Sequence, residues 1–477
     1  MTTPLTLSFR REVVLTESTE GRVSLSLRWG EHKLAELTPG LMAVVRALSR
    51  DGGTEDELAE ILVERGESTS LPLFYFHLQR FKALGLIRYA VVEGGVVLAR
   101  LDPMKPGFVL RDAGRDPARS LRLSRFAYWR RDGDELVIES PLCPARIELG
   151  ERIGVLVAAE LQQPRTSAEL CARIAGLSEG AACSVLRLLE SAGVAAAVTG
   201  GRLPEEDSPA LVQWEFHDLL FHARSRLGSH DYPSGGTFPF LGRFEPLPAV
   251  RPVPASDGVP LARPDMDRLK KEDPPLSAVL ERRRSLRDHG ETPLSAAQIG
   301  EFLHRAARVR AVTPADATRS RHYETSSRPY PSGGAAYDLE LYLTVDRCLD
   351  LAQGIYHYDP LGHRLSRVAG YDAPARAVVQ DAQRSAAMTA SPQVVITFTS
   401  RFQRLSWKYR SMAYATTLKN VGVLYQTMYL VATAMGLACC ALGSGDSSLI
   451  AEAAGLDRYA ESSVGELALG TARHPGV

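Results

Sequence analysis

Arg282-Arg-Arg-Ser-Leu-Arg287 is the stretch on which the reading of this chain turns. The helix expected just before it sets Leu276, Val279 and Leu280 on one face. Steps of three and four along the same face reach Arg283 and Arg287, so two guanidinium groups are expected on the inward side. An unpaired buried charge is costly, and the arginine fork can bond two oxygens of a phosphate at once. Arg284 lies in the same run, and Ser285 adds a hydroxyl. A solvated basic helix end would use the same residues, so this stretch needs company before it means an anion site.

Two further stretches supply that company. Tyr330-Pro-Ser-Gly-Gly-Ala-Ala-Tyr337 stands directly before Leu339, Leu341, Leu343 and Val345, which alternate with Glu340, Tyr342 and Thr344 as a strand does. Its small residues would let backbone approach a flat ligand closely, although an ordinary turn has a similar composition. Leu442-Gly-Ser-Gly-Asp-Ser447 closes the apolar run Val421–Leu442. It has neither the Rossmann glycine spacing nor the lysine of a P-loop, and a loop after a helix would read the same. The run is long enough to cross a bilayer. Gly436, Cys439 and Cys440 within it, and the lack of an aromatic belt at both ends, favour the buried centre of a globular protein. Ile355–Tyr358 and Arg364–Val368 read as a hairpin around Pro360-Leu-Gly362, Val394–Phe398 as a buried strand and Val464–Leu469 as a last one. This half is therefore α+β.

In order and spacing, the three stretches resemble the nitroreductase superfamily. The chain resembles more narrowly the SagB-type thiazole/oxazole-forming (azoline) dehydrogenases. That likeness rests on Leu123-Ser-Arg-Phe-Ala-Tyr128, Glu139-Ser-Pro-Leu142, Phe216-His-Asp-Leu-Leu-Phe-His-Ala-Arg-Ser-Arg226 and Tyr330-Pro-Ser-Gly-Gly334. The resemblance implies an FMN-dependent, homodimeric oxidase acting on an azoline-containing peptide. It puts Arg283, Arg284, Ser285 and Arg287 on the FMN phosphate and ribityl chain. It sets Pro331, Ser332 and Gly333 beside the flavin from the second subunit, and Gly443, Ser444 and Gly445 near its reactive edge. Arg473 would complete the phosphate site, although the tail after Gly470 is shorter than in plain nitroreductases. Val421–Met435 would form the dimer core.

The same resemblance makes Lys408 and Tyr409, in Trp407-Lys408-Tyr409, a catalytic pair. Aromatising an azoline removes a proton from the former Cα and a hydride from the former Cβ. A lysine with its ordinary pKa of about 10.4 is too protonated to take that proton at neutral pH, so burial or nearby cations are expected to lower it. Adjacent residues of a regular helix point about 100° apart, so the backbone is expected to be irregular at this pair.

The N-terminal half reads as a diverged internal repeat. In each copy strands are followed by three short helices and then a wing, with start signals at Thr38-Pro39, Thr54/Glu57 and Thr166, and stops at Gly85 and Gly193. The expected organisation is a winged-helix-like domain over 1–103 and a second over 104–203. A helical and Pro/Gly-rich connector follows over 204–274, with Pro246, Pro248, Pro252 and Pro254 in its extended part, then an FMN-binding domain over 275–477. The third helices carry few basic residues, and Lys plus Arg equals Asp plus Glu at 56 each, so nucleic-acid binding is not expected. Peptide docking through an open sheet edge is, with a leader peptide, a cyclodehydratase or a carrier protein as partner. Six cysteines form no C-x-x-C pair, and His217 and His222 are spaced poorly for one metal, so neither a disulfide framework nor a metal site is expected. Met1–Arg11 lacks a signal-peptide core, which with free thiols suggests a cytoplasmic protein outside the membrane. An NAD(P)H-dependent nitro or quinone reductase and a non-catalytic peptide scaffold are the competing readings.

Overall fold

The computed structural model describes residues 3–17, 23–34, 37–111, 118–253 and 258–473. Pro254 lies outside the described residues. The chain folds as two compact units, 1–232 and 233–477. The expected connector is thus divided: the Phe216–Arg224 helix lies in the first unit and the proline-bearing stretch in the second.

The first unit contains the repeat. Copy one has strands β1 (Thr6–Phe9), β2 (Val14–Glu17), β3 (Val23–Leu27) and β4 (Gly30–Leu34). Helices α1 (Pro39–Leu48), α2 (Glu55–Glu64) and α3 (Leu71–Ala83) follow, then β5 (Ile87–Glu93) and β6 (Val96–Pro103). Copy two gives β7 (Leu121–Leu123), β8 (Tyr128–Asp132), β9 (Glu135–Glu139) and β10 (Ala145–Leu149). It continues with α4 (Glu151–Glu160), α5 (Ser167–Arg173), α6 (Glu179–Ser191) and β11 (Ala195–Ala197). Local chemistry starts each second helix in the same way. Thr54 with Glu57, and Thr166 with Glu169, form reciprocal capping boxes that satisfy otherwise orphaned N–H groups. The first strand of each copy also behaves alike: β1 pairs with β5 and bridges to Gly53, while β7 pairs with β11 and bridges to Arg165. The second wing is reduced to β11. The copies are joined by β6, which pairs with β10 and completes the sheet order β1-β5-β6-β10-β9-β8.

The second unit is built on a seven-stranded sheet. Its strands are β13 (Val259–Pro260), β14 (Leu339–Val345), β15 (Gly354–Asp359), β16 (Arg364–Ala369), β17 (Val394–Arg401), β19 (Leu437–Ala441) and β20 (Glu461–Thr471), in the order β13-β16-β15-β14-β17-β20-β19. A short ribbon pairs β12 (Gly235–Gly236) with β18 (Tyr409–Arg410). Helices α7 (Leu276–Arg282) and α8 (Ala413–Ala434) bear on the site. The apolar run Val421–Leu442 is therefore a helix and a strand, separated where Gly436 adopts φ +66°. No helix among the described residues is long and apolar enough to cross a membrane, and none of their His, Cys, Asp and Glu side chains gather into a metal-binding group.

The basic stretch differs from its expected form. Helix α7 ends at Arg282, with Arg283 as its C-cap, and the chain then runs extended. The reason is a competing partner: Leu286 N–H bonds to Cys439 O at 3.0 Å on the edge of β19 instead of continuing the helix. Of the expected inward stripe only Val279 is buried; Leu276, Leu280 and Arg287 are exposed. Burial cost therefore gives no reason for an anion here.

Candidate active site

Helix α8 carries one cluster at each end. Near its start, Asp338 is fully buried at the foot of β14. It accepts hydrogen bonds from Ser400, Thr417 and Asn420 at 2.7, 2.9 and 2.7 Å. Asn420 in turn accepts from Gly333 N–H at 3.1 Å, and Ser332 Oγ accepts from Tyr337 N–H at 3.1 Å. This relay fixes the loop that contains Pro331, Ser332 and Gly333. The next residue, Gly334, has φ +63°, and a Cβ there would meet Lys408 Nζ and Tyr409 Oη at 2.5 Å and Tyr323 Oη at 2.9 Å. Three polar side-chain tips thus converge on a backbone that only glycine can supply.

Lys408 and Tyr409 follow the four-residue helix Gln403–Ser406, and Tyr409 opens β18. The backbone is irregular here, as expected, and both side chains reach Gly334. Lys408 Nζ donates to Tyr323 Oη at 2.7 Å, and the Tyr323 hydroxyl donates to Gly334 O. Burial disfavours the Lys408 ammonium, but hydrogen bonds to Tyr323 and Tyr409 outweigh it, and its pKa is raised. The expected lowering is therefore overturned in this arrangement. Its cause is two phenol oxygens whose hydrogen bonds outweigh the expected effect of burial.

Below the lysine, Arg404 packs against the Tyr323 ring and donates to Ala336 O and Glu324 O. Desolvation, with Arg401 nearby, depresses the Arg404 guanidinium to about 10. The stretch expected as a connector supplies a wall. Phe238 N–H bonds to Lys408 O, Trp407 Nε1 to Phe244 O and Ser411 Oγ to Pro233 O. Phe238, Tyr323 and Trp407 pack edge to face or tilted around the lysine. Sequence reasoning missed Tyr323, Phe238 and Arg404; the aromatic-rich Tyr232–Phe244 stretch was the available signal.

At the far end of α8, Tyr429 gathers the other cluster. Its hydroxyl bonds Ser285 Oγ at 2.8 Å and accepts from Ala441 N–H at 2.8 Å, while Arg283 lies over its ring at 5.4 Å. Gln393, fully buried, ties the basic segment to the last strand through Gly290 O, Leu294 N–H and Thr471 N–H. His289 bridges Ala472, so Arg473 leaves the sheet beside the basic segment. The exposed loop with Gly443, Ser444 and Gly445 follows β19, and Gly445 packs on Glu466. Among the described residues, Arg283, Arg284, Arg287 and Arg473 form no ion pair with a carboxylate. Arg283 and Ser285 share Tyr429 as a neighbour, and a guanidinium beside a serine hydroxyl fits a phosphate monoester.

Three family models match stretches of this chain. Residues 1–111 match the ThcOx helix turn helix domain, 121–231 the cyanobactin oxidase ThcOx and 280–471 the nitroreductase family. A protein of Methanocaldococcus jannaschii classed as a nitroreductase is 27% identical over 192 residues, covering 39% of this chain and 85% of its own length. The microcin B17-processing protein McbC of Escherichia coli is 29% identical over 140 residues, covering 28% of this chain. This chain spans about half of McbC, 49%. Among solved structures, a nitroreductase of Ralstonia eutropha aligns at TM-score 0.34 and 19% identity, covering 50% of this chain and 99% of its own. A chain of the Escherichia coli microcin synthetase McbBCD complex with truncated pro-MccB17 aligns at TM-score 0.34 and 21% identity, covering 53% and 91%.

Proposed function

We infer, for a chain that belongs to the SagB/McbC-type azoline dehydrogenases of the nitroreductase superfamily, that it binds FMN as a homodimer and oxidises thiazoline or oxazoline rings in a peptide to thiazoles or oxazoles. The observation that carries this reading is the convergence of Lys408, Tyr409 and Tyr323 on Gly334, which places proton-handling groups against a loop whose Pro331 and Gly334 are exposed. Bound FMN would supply hydride acceptance. Arg283, Ser285, Arg287 and Arg473 would hold its phosphate and ribityl chain, with Arg284 at the rim. No dinucleotide fingerprint calls for FAD.

Lys408 and Tyr409 would handle the Cα proton. Lys408 starts as an ammonium held by Tyr323, so it becomes a base only after giving up a proton, and loss of that hydrogen bond would ease the release.

The spacing along α8 supports the dimer reading. Asn420 and Tyr429 are nine residues apart on α8, about 13 Å, so the Ser332–Gly333 loop and the basic segment of one copy stand apart. A second copy packed along α8, where Tyr414 and Leu418 are exposed, would bring its loop to the first copy's phosphate cluster. The six cysteines are free, in keeping with work in a reducing cytoplasm. The test is to release the yellow chromophore by denaturation and identify it. FMN at one per chain is expected, and FAD or no flavin would refute the reading.

A further inference from the structure

The loop from Phe238 to Phe244 is bound to the lysine site at both ends. Phe238 N–H donates to Lys408 O at 3.0 Å, and Phe244 O accepts from Trp407 Nε1 at 2.7 Å. Between these anchors the chain winds into turns. Leu241 N–H bonds Phe238 O at 3.1 Å, and the N–H groups of Arg243 and Phe244 both bond Phe240 O at 3.0 Å. Phe238 sits at φ +48°, a left-handed backbone that a residue with a bulky side chain adopts only at a cost. That backbone aims its ring at the site. Lys408 Nζ lies 5.8 Å from the ring centroid, and Trp407 and His322 pack on the ring edge to face.

The loop so fixed does not bury all that it carries. Phe240 packs on the cluster of Tyr323, Leu405 and Trp407, and its ring stands 5.8 Å from that of Phe244. Phe244 is 56% exposed and Leu241 52% exposed. A lone exposed apolar residue means little. Here two stand on a segment pinned at both ends, continuous with a partly buried ring and joined to the lysine through Phe238 and Trp407. Residues 233–244 contain no carboxylate, and their one charged side chain, Arg243, lies over the Phe244 ring at 5.0 Å. A stiff apolar surface suits an apolar side chain, because little has to be ordered on binding. It penalises a polar one, whose atoms lose water there without a matching partner.

We propose that Phe240, Leu241 and Phe244 form a ledge for the side chain next to the oxidised ring, so that the enzyme selects azolines flanked by bulky apolar residues. The proposal rests on the azoline-oxidase reading and adds a specificity to it. Phe238 is a positioning residue, which holds the ledge against Lys408.

The test compares short peptides whose thiazoline is flanked on both sides by Leu or by Asn, side chains of similar size and opposite polarity. With flavin-loaded full-length protein, kcat/KM should favour the Leu-flanked peptide by about tenfold or more. Leu241→Asp and Phe244→Ser should each bring that ratio close to one, and Leu241→Met should keep it. The ratio separates recognition from damage, since a distorted site slows both peptides alike. The finished thiazole peptides, titrated by calorimetry without turnover, should bind in the same order. Equal kcat/KM for the two flanks in the wild type, or an undiminished ratio in either polar variant, overturns the proposal while the azoline reading stands. A wild type that oxidises neither peptide overturns the azoline reading and the proposal together. Elution of Leu241→Asp at half the wild-type mass would make the ledge a contact between copies and overturn the proposal as well.

Discussion

Tyr323 governs what Lys408 can do. It accepts the lysine's proton-bearing hydrogen bond and donates its own to Gly334 O, and its contact raises the lysine pKa against the pull of burial. If neutral Lys408 is the base, turnover should climb with pH toward that raised pKa. Tyr323→Phe removes the stabilising acceptor but leaves the desolvation, so the climb should move to lower pH. A kcat–pH profile checks this, and an unmoved limb would show that Tyr323 is packing alone. None of this was legible in the sequence. Tyr323 lies in a loop without periodicity, 85 residues from Lys408, and only the fold brings them together. Lys408 and Tyr409 themselves were legible through resemblance, and their irregular backbone through helix geometry.

At the scale of elements, local signals read well and non-local ones did not. The capping box at Thr54, the helix start at Thr166 and the stops at Gly85 and Gly193 act within a few residues, and each stands where expected. The end of α7 departs from the expected helix because its cause, the edge of β19, arrives from more than 150 positions away (Leu286 N–H to Cys439 O). Pairing of β6 with β10 was invisible for the same reason. The extended basic segment makes a clear demand on Gln393, which clamps it to β20. Gln393→Ala should loosen residues 286–294 and weaken FMN binding although it touches no phosphate donor. Arg283→Ala and Arg287→Ala should each weaken it by roughly 1.5–3 kcal/mol through a lost charge-assisted bond. Flavin titration of the three variants checks both statements. Undiminished affinity in either arginine variant would remove the phosphate assignment.

For the whole molecule, two behaviours follow. Leu418 is exposed on α8, so the wild type should elute at twice the monomer mass and Leu418→Asp should elute as a flavin-poor monomer. Stability should also fall in mild acid. Burial holds His289 at about 4, as it does His304, each below the ordinary histidine value. The unfolded chain therefore takes up protons first, and stability present near neutrality is lost as pH falls from about 6.5 toward 4. Melting curves across that range should show His289→Gln blunting the loss.

On the proposed function, Lys408 does chemistry on an azoline beside bound FMN. Its most direct test is azole formation by flavin-replete Lys408→Ala, followed as the loss of two hydrogens from an azoline peptide, with flavin occupancy measured in the same sample. Positioned acid–base groups contribute about 10²–10⁴ in rate, so a loss of that size at unchanged occupancy is predicted. Near wild-type oxidation by the flavin-loaded variant would show that Lys408 is not the base.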